Sequence, residues 1–333
     1  MTDRSEPEFP GLSLGRLRDQ AEEIAVVAAA CDVGIFRALA DEPASPEELA
    51  GRLELLPRPV GIVLPVLARL GLVTEGDDGR FRPTDTALRT LADPSSAEYQ
   101  AEGLPHWLRT LRHFTRLPDA LRSGGPIRDP EREREDADRG LARFMAAMNA
   151  APLERVRRIV DLCLEGVPEA ERALDLGGGP GHMSRELARR GLEVVLFDRP
   201  ETVAFVGPEY GLDEVGAIRL EGGDFLEDPL PPGPFDVVLM SNILHIYGAE
   251  RNRELLRKAA GVIRPGGIVA IAEFVRGPSS RAPRFGLVML LRTEEGNAHA
   301  EEDYREWLRA AGFVDVRLAD LDGERQLLTA ALP

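Results

Sequence analysis

A glycine-rich stretch and three aspartates are the first residues in this sequence whose types and spacing can do chemistry. Asp175-Leu176-Gly177-Gly178-Gly179-Pro180-Gly181-His182 ends a short apolar run and precedes a helical stretch from Met183 to Arg190. Glycines let such a loop turn sharply and let a ligand approach its backbone at the N-terminus of the next helix. A dinucleotide fingerprint needs glycines at its first, third and sixth places, and the sixth place from Gly177 is His182. A phosphate loop ending in Gly-Lys-Ser/Thr is also missing. What remains is D-x-G-x-G-x-G with Asp175 at the end of a strand. Asp198 closes the next apolar run, 21 positions after Gly177, where a carboxylate can take both hydroxyls of a ribose. Asp224, beside Phe225, closes a third and can accept an adenine amino group next to an aromatic face. Singly, such acids are solvated loop residues. Three at successive strand ends, on the side where open α/β sheets bind ligands, suit a nucleoside without a pyrophosphate.

The elements that must hold these residues follow from periodicity. RALDL, EVVLF, AIRL, FDVVLM and GIVAIAEF are short β-branched runs separated by helix-length segments, the pattern of a parallel sheet covered on both faces. FVDVRLAD and RQLLTAAL, around Asp322-Gly323, read as a terminal antiparallel hairpin. Ahead of this half, Phe144, Met145, Met148 and Asn149 lie on a helix and wall a pocket or simply fill core. The run at 128–139 mixes both charge signs and reads as a solvated face.

The N-terminal third reads as helices followed by a hairpin wing, a winged-helix pattern. Leu14, Leu17, Ala21, Ile24 and Ala28 recur at helical spacing, continuing through Val33, Ile35 and Phe36. Ser45-Pro46-Glu47-Glu48 is a helix start. From Gly11 to Pro94 there are nine Arg, no Lys and fourteen acids, a net of −5. That balance opposes DNA binding, because phosphates need clustered cations. The would-be recognition helix, PVGIVLPVLARLG, is apolar nearly all round and is expected to pack against something, such as a second copy of the chain.

Composition agrees. The chain has 333 residues and a formal net charge of −16, which argues against nucleic acid or an anionic membrane as partner. Its length suggests about two domains. Cys31 and Cys163 are its only cysteines, fitting buried thiols in a reducing compartment. The polar start, MTDRSEPEFPG, and the absence of an apolar run near 18 residues lead to a cytoplasmic protein. No His/Cys/Asp cluster has metal-ligand spacing.

On DLGGGPG, FDVVLMSNILH and the RPGG that follows, the half from about residue 150 resembles class I S-adenosylmethionine-dependent methyltransferases. The whole chain resembles the small-molecule O-methyltransferases typified by plant caffeate and hydroxyindole enzymes and bacterial antibiotic-tailoring enzymes. The resemblance implies an α/β fold: a Rossmann-like seven-stranded sheet with a terminal antiparallel hairpin, preceded by an α-helical winged-helix dimerisation domain. The corresponding boundaries are 1–98 for dimerisation, 99–168 for a helical linker contributing to the substrate pocket, and 169–333 for the catalytic domain. The implied partners are a small-molecule acceptor and a second copy of the chain.

Residue by residue, the resemblance implies that the loop holding Gly177, Gly179 and Gly181, with Asp175, receives the methionine part of S-adenosylmethionine. Asp198 would hold ribose, and Asp224 with Phe225 adenine. The family's catalytic histidine falls on His245 and its first catalytic carboxylate on Glu273. Phe144, Met148, Asn149 and Met289 would line the acceptor. The chain departs from the pattern at three places. His-Asp-Trp is His245-Ile246-Tyr247, a cofactor-contacting Lys is Ser241, and the second catalytic carboxylate is Ala298 with His299 beside it.

A phenol, with a pKa of about 10, needs a base whose own pKa lies near 7. His245 suits that, with Glu273 fixing its tautomer. The expected reaction is O-methylation of a small aromatic metabolite. The missing carboxylate leaves C- or N-methylation, or a non-methylating use of the same cofactor, as the alternative. A DNA-binding sensor of the cofactor is the third reading, opposed by the N-terminal charge.

Overall fold

The computed structural model describes residues 13–96, 98–101, 103–126, 140–142, 144–149 and 152–333, with the side chains of 105–107, 109 and 110 left aside. The charged run at 128–139 lies outside the described residues. The chain divides into two compact units with the boundary between Leu111 and Arg112.

In the first unit, α1 (Leu14–Asp32) starts on Ser13, whose hydroxyl accepts from the Arg16 N–H. The apolar periodicity predicts one helical run to Phe36, but the backbone breaks at Gly34, with φ 82, and restarts as α2 (Ile35–Asp41). A left-handed residue is incompatible with continuing the helix, so glycine sits at the corner. The start at Ser45 forms a full capping box with Glu48 and opens α3 (Pro46–Arg52). Helix α4 (Pro57–Arg69) buries Val60, Leu64 and Leu67 and leaves Ile62 exposed. The wing is the antiparallel pair β1 (Val73–Glu75) and β2 (Phe81–Pro83). Phe36, Leu39, Leu49, Leu64 and Leu67 close the core of this unit.

The second unit is built on a seven-stranded sheet. Its strands are β3 (Arg172–Leu176), β4 (Glu193–Asp198), β5 (Ile218–Gly222), β6 (Phe235–Ser241), β7 (Ile263–Glu273), β8 (Val314–Asp320) and β9 (Gln326–Ala331). Their order is β5-β4-β3-β6-β7-β9-β8. All neighbours are parallel except at β9, which runs antiparallel to both β7 and β8. The hairpin therefore turns at Asp322-Gly323, as the sequence suggests. Separate apolar cores cover the two faces, one around Phe235, Met240, Tyr304 and Phe313, the other around Ile159, Leu187, Leu196 and Leu239. Strand order reverses between β3 and β6, and there the C-terminal strand ends open a crevice suited to a ligand. Helices α5 (Gly103–Phe114), α6 (Leu117–Ser123), α7 (Leu153–Gly166), α8 (His182–Arg189), α9 (Pro200–Tyr210), α10 (Ala249–Ala260), α11 (Ala282–Arg292) and α12 (Glu301–Ala310) complete the described elements used below.

Candidate active site

A cleft of about 860 Å³ opens at that crevice. Its walls include Asp175, the loop residues Gly177, Gly178 and Gly179, Asp198 at the end of β4, Phe225, Ser241 at the end of β6, and Asn242 and Ile243 after it. Leu141, Phe144, Met145 and Met148 line another side, from the helical residues 140–142 and 144–149. The glycines have separate reasons. At Gly177, with φ 70, a Cβ would be driven into the Ile243 side chain. At Gly179, with φ 49, a Cβ would meet, among the described residues, only the Met145 sulfur at 3.8 Å, so its bare backbone leaves room for a ligand.

The acids differ in what they do. Asp175 is buried, and its Oδ2 accepts from the Ser184 hydroxyl at 2.6 Å, tying the end of β3 to α8. Burial pushes its carboxyl up to about 6; the Ser184 hydrogen bond opposes the rise and the Asp198 charge adds to it. Asp198 accepts from the Gly179 N–H at 2.9 Å through Oδ2 and from the Arg199 N–H at 2.7 Å through Oδ1. Burial raises its pKa, against those hydrogen bonds. The Thr202 side chain also hydrogen-bonds this carboxylate, and with about four lone-pair sites on its two oxygens the group retains acceptor capacity for a ribose hydroxyl. The site therefore fits a cationic nucleoside: acids line the wall, and a glycine leaves space for the ligand. Asp224 is exposed, lies beyond β5, and its Oδ1 accepts from the Leu226 N–H at 2.8 Å. It is not among the residues that line the cleft, whereas Phe225 is.

His245 lies on the turn of 3-10 helix at Leu244–Ile246. Its Nδ1 is 2.6 Å from Glu273 Oε2, and its backbone N–H donates to Oε1 at 3.3 Å. Glu273 is fully buried at the end of β7. With Nδ1–H donating to the carboxylate, the neutral imidazole keeps Nε2 unprotonated. The ring of Phe285, on α11, meets the imidazole edge-to-face at 4.7 Å. Neither His245 nor Glu273 is on the cleft wall itself, although their neighbours Ile243, Ile246 and Tyr247 are. Ala298 packs with Phe274, Ala282 and Phe285 in an apolar cluster. Next to it, His299 Nε2 bonds the Tyr247 carbonyl at 2.9 Å, and burial lowers its pKa.

Other sequence-predicted positions separate. Phe144 and Met148 line the cleft. Met289 is buried on α11, Asn149 is exposed, and Gly181 caps α8; these three are not on the wall. The carbonyl of Asn149 instead receives His182 Nε2 at 2.9 Å. Sequence reasoning missed Thr202, Phe205 and Asn242 on the wall. Only the helix start after Asp198 hinted at the first.

Residues 131–314 match the O-methyltransferase domain family, and residues 21–93 match the O-methyltransferase dimerisation domain. The chain belongs to the O-methyltransferase family. Among its relatives is a 3-hydroxy-5-methyl-1-naphthoate 3-O-methyltransferase of Streptomyces sahachiroi, 31% identical over 87% of this chain and 85% of that protein. Another is the N,N-dimethyltransferase OxyT of Streptomyces rimosus, 28% identical over 92% of each chain. Human N-acetylserotonin methyltransferase, solved with S-adenosylmethionine, shares the fold with a TM-score of 0.80. It is 24% identical and covers 98% of this chain and 99% of its own. This O-methyltransferase belongs to a family that depends on S-adenosylmethionine. Its N-terminal unit is the dimerisation domain of a homodimer. Among the described residues no helix is long and apolar enough to cross a membrane.

Proposed function

We propose that this O-methyltransferase methylates a hydroxyl on a small aromatic natural product, with His245 as general base and Glu273 as the group that orients it. The observation that carries this reading is the 2.6 Å His245–Glu273 contact on the turn that walls the acid-lined cleft. S-adenosylmethionine, when bound, supplies a methyl group already activated on a sulfonium sulfur. The protein's task is then to place the acceptor and remove its proton. Nε2 takes the hydroxyl proton as the oxygen bonds to the methyl carbon and the carbon–sulfur bond breaks. Glu273 stabilises the resulting imidazolium. Asp198 is assigned the ribose, Phe225 and Asp224 the adenine end, and Asp175 with the Gly177–Gly181 loop and Ser241 the methionine end. Phe144, Met148, Met289 and Asn149 are assigned to the acceptor side. The homologous naphthoate enzyme supports an aromatic acceptor.

We further assign residues 1–98 to dimerisation, 99–168 to the helical segment that supplies the substrate pocket, and 169–333 to catalysis. A cytoplasmic location is supported by free Cys31 and Cys163, whose thiols burial pushes up to about 12. A second reading, N-methylation, is favoured by the OxyT relative and by Ala298, since a neutral amine needs no strong base. The test is methyl transfer to paired hydroxy- and aminonaphthoates, with product position fixed by mass spectrometry. Wild type is expected to give the methyl ether, and His245→Ala to lose about 10²–10⁴-fold in kcat. An N-methyl product with kcat unchanged in His245→Ala would replace the first reading by the second.

A further inference from the structure

Asn242 follows β6 with φ 61, in the left-handed region that residues other than glycine seldom occupy. It keeps this conformation with three bonds. Its backbone N–H donates to the Ala272 carbonyl at 3.0 Å, its Nδ2 donates to Ser241 Oγ at 3.2 Å, and its Oδ1 accepts from Arg325 Nη1 at 2.6 Å. Ser241 and Asn242 both line the cleft. Arg325 arrives from distant sequence, one residue before β9, and its Cζ lies 4.2 Å from the centre of the Phe274 ring. Burial, with Arg155 nearby, draws its pKa down to about 10, which still leaves a cation at neutral pH. Among the described residues, the bond to Asn242 is the one hydrogen bond its guanidinium makes. A partly desolvated cation with a single acceptor grips that acceptor strongly.

We propose that Arg325 is a positioning residue for the cofactor cleft, holding Asn242 in its left-handed conformation and, through it, Ser241 at the cleft wall. Strain at Asn242 is thereby kept where the ligand binds, a place where strained backbone commonly persists because its surroundings over-determine it. This inference rests on the reading of the cleft as the S-adenosylmethionine site.

The test is calorimetric titration with S-adenosylhomocysteine of wild type, Arg325→Met, Asn242→Ala, the double variant and Arg325→Lys, with the melting temperature of each followed in parallel. Arg325→Met and Asn242→Ala are each expected to bind about tenfold more weakly. The double variant is expected to bind no more weakly than Asn242→Ala, because the two residues act as one unit. Arg325→Lys is expected to recover part of the loss. Wild-type affinity in Arg325→Met, or losses that multiply in the double variant, would overturn the proposal. Should Arg325→Met not fold, Arg325→Gln takes its place in the cycle. Failure of the wild type itself to bind would instead remove the cofactor reading beneath it.

Discussion

Asp175 holds a carboxyl group where a carboxylate is poorly solvated, and its consequence is measurable. Its folded pKa of about 6 lies above the model-peptide value of 3.8. The folded state therefore binds more protons than the unfolded state between those values, and stability falls as pH rises through them. The Asp175 contribution is complete below about pH 4 and lost above about pH 6. In Asp175→Asn the amide oxygen still accepts from Ser184, and this pH-dependent part disappears. The melting temperature of cofactor-free wild type, measured relative to Asp175→Asn, is expected to drop between pH 4 and pH 6. A constant difference across that range would show that Asp175 is ionised throughout. His245 makes a contrasting case. Its partner Glu273 is fixed by a strand, so the loss expected in His245→Ala is one of proton transfer and not of cleft shape.

At the scale of elements, the glycine loop is the joint between β3 and α8. Gly177 combines a φ of 70 with a missing side chain whose place Ile243 occupies. Gly177→Ala therefore meets both backbone strain and a collision with the turn that carries His245. It is expected to lower stability by about 1–3 kcal/mol and to weaken S-adenosylhomocysteine binding by at least about tenfold, read by thermal melting and calorimetry. Wild-type melting and binding would show that the loop relaxes freely. The α11 helix acts at the same scale: Phe285 meets His245, and Ala298 joins the Phe274, Ala282 and Phe285 cluster. An apolar packing surface thus occupies the side where the family pattern would put a second carboxylate.

At the scale of the whole molecule, a net charge of −16 makes copies of the chain repel at long range. Association must come from apolar surface in contact. On α1, Leu14 and Leu17 are spaced one turn apart and are 53% and 45% exposed. Solvent contact of this kind is what a pairing helix would lose on assembly. Leu17→Asp is expected to shift sedimentation from dimer toward monomer at micromolar concentration, with the cleft still able to bind S-adenosylhomocysteine. A dimer that withstands the substitution would place the pairing surface elsewhere in the N-terminal unit.

The alternating elements, the winged helix with its capped α3, the glycine loop, and Asp175 and Asp198 at their strand ends were legible in the amino-acid order alone. These follow from local backbone rules: strands repeat every two residues, helices every 3.6, and turns demand particular residues. The amino-acid order also located His245 and Glu273, 28 residues apart, through motif resemblance. Which of the assigned side chains meet depends on the packed fold. Asp224, expected to close a strand, lies two residues past the end of β5, and its carboxylate accepts from its own turn, because a loop can satisfy an acid locally before a ligand does. Gly34 broke the first helix, although the apolar periodicity ran straight through it. Arg325 reaches Asn242 across 83 residues of chain, a contact that no spacing encodes. Such partners are chosen by how β9 packs beside β7, where burial leaves a cation few acceptors and so fixes the one it finds.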